Sequence, residues 1–356
     1  MQAPFGSEPQ AHVLSYPGRG TIGLEGLTLT RSREVFRGET EVGRTADVVV
    51  FTDNTANGNA AAQAVLNSAE ADFQAVRQWF GGIALPQGQP GDDQTTPRTA
   101  LPIQVLIDSQ AGGAYHFGCN ATDLYIEPAP QLASGFMVAE LVEVFEAAIN
   151  NGWQCGKTNG EALSRVLATD RNSGLAQLQV QTGQAWWANG HTDYVTNNNA
   201  SDQDENSNGC GPLFLYYLHS QLGYDWTRIT TTGGATLGDT YQRLTGRSGA
   251  QGFQDFISLL STLDNGSGLQ LPPSGNPFPI GAAGQPPSAG VGGGAGGATG
   301  PAGGAGPAGS FGAAGDIGLP PGATGRGFMG AVTTLLLVIV VVLALIVLNA
   351  LGVVTF

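Results

Sequence analysis

The chain has 356 residues, with 14 basic against 28 acidic side chains and a formal charge of −14. Cations so few and scattered exclude recognition of a nucleic-acid backbone, which needs clustered Lys and Arg to release counterions. The three cysteines, Cys119, Cys155 and Cys210, form no CxxC pair that would point to zinc. Two arrangements stay open for them: one bridge, with Cys155–Cys210 the favoured pair, or three reduced and buried thiols.

Composition divides the chain into four segments: an N-terminal extension (1–44), a folded domain (45–271), a Gly/Pro/Ala-rich stalk (272–327) and an apolar tail (328–356). Within the domain, residues 47–52 are a β-branched run that reads as a buried strand. Val65, Ala69, Phe73, Val76 and Phe80 recur at helical spacing and stop at Gly81-Gly82. Residues 102–108 read as a second strand and Leu124–Ile126 as a third, at an edge. Helical patterns then dominate, over 135–150, 159–170, 211–222, 235–245 and 250–263. The fold class is α+β, a small sheet followed by a mostly helical half.

The helix over 135–150 carries Met137, Leu141, Val144, Phe145 and Ala148 on one face and Glu140, Glu143 and Glu146 on the other. Shortly after it, Glu161 and Arg165 stand as an i,i+4 pair opening a further helix. Three readings of the acidic face are open: a solvated surface, a buried structural ion pair with Arg165, or a working metal or acid/base site.

On these residues the order of elements resembles metallopeptidases of the gluzincin type, over roughly residues 45–260. Two stretches, AELVEVFEAAINNGWQCGKTNGEALSRVLA and GCGPLFLYYLHSQLGYDW, are also similar to a widespread set of uncharacterised bacterial and fungal proteins. The peptidase resemblance implies a zincin-like fold in which Ala139-Glu140-Leu141-Val142-Glu143 occupies the H-E-x-x-H segment. Glu140 would then match the general base, and Glu143 and Glu161 two metal-ligand positions. Both ligand histidines are missing, and two carboxylates suit a hard cation rather than zinc. The expectation is an inactive relative with no cofactor, a divalent metal being the one cofactor left open. The alternative is a metal-dependent hydrolase using Glu140.

None of the four histidines has ligand spacing: His12 falls in the extension, His116 in a loop before Cys119, His191 after Trp186-Trp187, and His219 in a helix. The run Ser201–Gly209 alternates oxygen-bearing side chains at 202, 204, 206 and 208, as a calcium loop does, but has Ser207 at the turn position and no closing Glu. Trp186-Trp187 and Tyr194 offer either core packing or a groove for carbohydrate or peptide. No nucleophile elbow, P-loop or dinucleotide fingerprint occurs.

Glycine recurs every third residue from Gly294 to Gly318, the spacing a collagen helix needs, yet with few prolines. A flexible tether is expected, with trimerisation through the stalk as the alternative. Ala331 to Leu351 is apolar but for Asn349 and two threonines and would span about 30 Å as a helix, the thickness of a bilayer's hydrocarbon core. A single-pass C-terminal membrane anchor is therefore expected, with the lipid bilayer as one partner and a protein or carbohydrate as another. No secretory signal is visible at the N-terminus, and Arg326 beside the span leans the domain to the cytoplasmic side.

Overall fold

A computed structural model describes residues 11–14, 39–88, 98–199 and 204–278. All of them lie in the first of two compact units, Met1–Gly292; the second is Gly293–Phe356. The expected stalk repeat and the anchor Ala331–Leu351 lie outside the described residues. Among the described residues no helix is long and apolar enough to cross a membrane.

The fold mixes sheet and helix as expected, but Leu124–Ile126 falls in an interior strand paired on both sides and not at an edge. Its strands are β1 (Ala11–Leu14), β2 (Thr40–Arg44), β3 (Val48–Thr52), β4 (Ile103–Ile107), β5 (Ala114–Phe117) and β6 (Asp123–Ile126), in the spatial order β1-β5-β6-β4-β3-β2. Strands β3, β4 and β6 are parallel, while β2, β5 and β1 run antiparallel to their neighbours. Two strands thus come from residues assigned by sequence to an extension outside the domain. His12, assigned there too, sits in β1 opposite His116 in the ladder. At the other end Phe278 is buried beside Tyr217, so the domain runs past residue 271.

The helices are α1 (Ala56–Trp79), α2 (Ala133–Ile149), α3 (Thr158–Arg171), α4 (Ala176–Ala188), α5 (Glu205–Tyr216), α6 (Trp226–Thr232), α7 (Leu237–Thr245) and α8 (Gly249–Ser261). Helix α1 starts where the Thr55 hydroxyl accepts from the Gly58 N–H at 2.9 Å, a side-chain N-cap. Its stripe Ala61, Ala62, Val65, Ala69, Phe73 and Val76 is buried, and Phe73 and Phe80 meet Phe145 of α2 with ring centroids 5.7 Å apart. Helix α5 carries Pro212 internally and passes into one π-helical turn over Tyr217–Gln221.

The sheet has two buried faces set by residue parity. Val48, Val50, Ile103, Val105, Ile107, Ala114, Leu124 and Ile126 join the main core with the helices. Leu106, Tyr115, Phe117 and Tyr125 form a separate aromatic cluster, with Tyr115 and Tyr125 stacked at 4.7 Å. Because side chains alternate along a strand, placing Tyr115 and Phe117 on the second face turns His116 toward the first. This parity delivers His116 to the helices.

Candidate functional site

Six ionisable side chains from three elements are buried where β5 meets α2 and α3. They are His116, Glu140, Glu143, Glu146, Glu161 and Arg165, and none is more than 3% exposed. Helix α2 is buried nearly all the way round, from Ala133 to Glu146. Its acidic face is therefore interior, and the reading of that face as solvated is corrected. Sequence periodicity could not show this, because a polar stripe on a helix normally faces water.

His116 Nε2 lies 3.2 Å from Glu143 Oε2. His116 is in strand β5 and not in a loop, which corrects its assignment, and this contact was missed because it joins residues 27 apart through the sheet's pleat. Arg165 Nη2 lies 3.6 Å from Glu161 Oε2, so the expected i,i+4 pair is formed, and formed inside the core. Glu161 is also held from its own N-terminal side, since the Gly156 N–H donates to its Oε1 at 3.2 Å. A carboxylate there also meets the positive end of the α3 dipole.

Glu146 lies one turn beyond Glu143 and faces α3, where a Cβ on Gly160 would stand 2.6 Å from its Oε2. Its carboxyl oxygens are buried and receive no hydrogen bond among the described residues. Burial above all, and then the Glu143 and Glu161 charges, hold its pKa well above the usual carboxylate range. Burial likewise lowers His116 to about 4, against a hydrogen bond to the Ala121 backbone that acts the other way. Its imidazole is thus neutral at pH 7.

A disulfide joins Cys119 and Cys155, with Cα atoms 5.8 Å apart, and Cys210 is a free, buried thiol. This corrects the favoured Cys155–Cys210 pair. The loop after β5 carries Cys119 to the loop before α3, whereas Cys210 lies inside α5 and is fully enclosed. The Cys155 Sγ falls with donor atoms of His116 and Glu143 in one group whose members are all within 4.8 Å of one another. These three are a metal-ligating set in composition, but in the bridged protein the sulfur is bonded to Cys119.

Zinc held in the peptidase manner does not fit these residues. Ala139 has no donor atom, and Glu143 already faces His116. Among the described residues a surface cavity of about 60 Å³, lined in part by Asp47, Phe73 and Arg77, has none of the six cluster residues in its wall.

Other sequence candidates resolve into structural roles. Asp204 is the N-cap of α5, and its carboxylate accepts from Tyr194 Oη and from Asn199 Nδ2, each at 2.7 Å. Asn206 and Asn208 are then helical, so no calcium loop runs through them; residues 200–203 lie outside the described set. Trp186 is fully buried and stacks on Phe256, while Trp187 donates to Asp264 Oδ2 at 2.7 Å and stacks on His191. His219 stacks on Trp226 at 4.2 Å. No family model, no curated protein and no solved structure matches this chain.

Proposed function

We propose that this protein is a membrane-anchored, catalytically inactive metallopeptidase-like domain that serves a binding or structural role. The observation that carries it is the enclosure of the residues at the peptidase positions. Glu140, Glu143 and Glu161 are each 1% exposed, with Glu143 against His116 and Glu161 against Arg165. A general base must reach a water molecule and a substrate carbonyl, and a carboxylate sealed in the core reaches neither. The cluster acts instead as a polar fastening between β5, α2 and α3. Such buried networks fix one arrangement of the elements they join.

The anchor at Ala331–Leu351 and the stalk before it hold this domain at a lipid bilayer. The Cys119–Cys155 bridge favours the oxidising side of that membrane, against the slight pull of Arg326. The partly exposed Trp187, His191 and Tyr194 are the candidates for contact with a protein or carbohydrate partner.

Metal content of the purified full chain, with melting curves recorded with and without chelator, tests the reading. A metal-free protein whose melting temperature ignores the chelator is expected, and it should leave peptide substrates intact. A stoichiometric metal whose removal lowers the melting temperature, or peptide hydrolysis abolished by Glu140→Gln, overturns it.

A further inference from the structure

We propose that reduction of the Cys119–Cys155 disulfide converts His116, Glu143 and Cys155 into a binding site for a borderline divalent metal such as Zn²⁺. The inference concerns the reduced protein and does not depend on whether the bridged protein is a peptidase.

The geometry points to it first. The donor atoms of the three residues already lie within 4.8 Å of one another, and His116 Nε2 and Glu143 Oε2 within 3.2 Å. Metal–ligand bonds of about 2.0–2.3 Å at tetrahedral angles place neighbouring donors about 3.3–3.6 Å apart. The approach needed is therefore on the order of 1 Å, within reach of side-chain rotation. The donor set is also complementary in charge. One thiolate, one carboxylate and one neutral imidazole neutralise a dication and leave a fourth position open.

Glu146 supplies an independent observation. It is fully buried one turn from Glu143, and its oxygens receive no hydrogen bond among the described residues. A buried carboxyl left this way is costly unless something nearby uses its lone pairs. A cation beside Glu143 would do so, directly or through a bound water.

Access decides the route. Cys119 is partly exposed, while Cys155 is 8% exposed. A dithiol reductant therefore attacks the Cys119 sulfur, the S–S bond breaks, and Cys155 leaves as the thiolate facing His116 and Glu143. The second thiol of the reductant then resolves the mixed disulfide and frees Cys119. In total two electrons and two protons pass to the cystine, and the dithiol becomes a disulfide. Metal binding to Cys155 displaces its proton into solvent. Cys210 does not compete, since it lies outside the triad and burial pushes its thiol pKa far upward.

Cobalt(II) uptake by the full chain tests this, with a water-soluble phosphine as reductant so that no added thiol chelates the ion. The oxidised protein should bind no cobalt. The reduced protein, and Cys119→Ser without reductant, should bind one equivalent and show a thiolate-to-cobalt charge-transfer band with tetrahedral visible bands. Cys155→Ser and His116→Ala should lose that band, and Cys210→Ser should keep it. No uptake by either the reduced protein or Cys119→Ser overturns the proposal, and so does equal uptake by Cys155→Ser, which would assign the ion to the carboxylates alone. Metal already present in the oxidised protein counts against the inactive-peptidase reading instead, so the two failures are separable.

Discussion

Glu146 and His116 are both buried, and burial acts on them with opposite consequences for pH. For Glu146 the pKa is raised above its unfolded value of 4.5, chiefly by desolvation. Above that value the unfolded chain gives up a proton that the fold keeps, so stability falls as pH rises toward the folded pKa. For His116 the pKa is lowered from 6.5 to about 4, so the unfolded chain binds a proton that the fold refuses. Stability is then lost as pH falls through that window. The Glu143 and Glu161 charges act on Glu146, Glu143 also faces His116, and Arg165 lies against Glu161. Glu146→Gln should therefore gain stability relative to the parent between about pH 5 and pH 8, as read from urea unfolding at both. His116→Gln should flatten the acid limb instead. Arg165 is a third test at this scale. Arg165→Met removes the guanidinium that faces the buried Glu161 carboxylate and should cost about 3–5 kcal/mol, most of it recovered when Glu161→Gln is added. A double-mutant cycle checks this, and simple additivity would contradict the ion-pair assignment.

Helices in this domain approach one another through glycines, and close packing explains which of them can be replaced. A Cβ on Gly209 of α5 would stand 2.2 Å from the Thr182 carbonyl oxygen of α4, and one on Gly211 would stand 2.6 Å from Ala162 Cβ of α3. In an exposed helix Gly→Ala gains about 1 kcal/mol from propensity. Against a fixed backbone carbonyl the overpacking term of about 1–3 kcal/mol wins, because a carbonyl cannot rotate aside. Gly209→Ala should thus destabilise by about 1–3 kcal/mol in chemical unfolding, and an unchanged midpoint would show that α4 and α5 can separate freely. Elements also differ in how they signal themselves. Helices α1, α2, α3, α7 and α8 carry clear apolar periods and were legible. Helix α4, AQLQVQTGQAWWA, is polar with an internal glycine, and α6, WTRITTT, is rich in β-branched residues, so neither reads as helical. Strands β2 and β5 were missed for related reasons: TEVGR is mostly exposed, and AYHF is four residues long.

At the scale of the whole molecule the covalent order of the chain sets the architecture: a folded unit first, then glycine triplets, then an apolar run. Deleting residues 328–356 should release the protein from membranes, whereas the full chain should stay in the membrane pellet after alkaline carbonate extraction. A full chain extracted as readily as the truncated one would remove the anchor from the proposed function.

Composition and periodicity by themselves pointed to an α+β domain, set Glu140, Glu143 and Glu146 on one face of a helix, and made Glu161 and Arg165 an i,i+4 pair on the next. Those conclusions rest on local patterns, and a local pattern is written in consecutive residues. Tertiary structure alone decided that the acidic face of α2 is interior, that His116 meets Glu143, and that Cys119 pairs with Cys155 while Cys210 stays enclosed. Each of these depends on which distant segments the sheet order brings together. The parity of a four-residue strand turned a histidine from the aromatic side of the sheet to the carboxylate side, and no spacing along the chain records that choice.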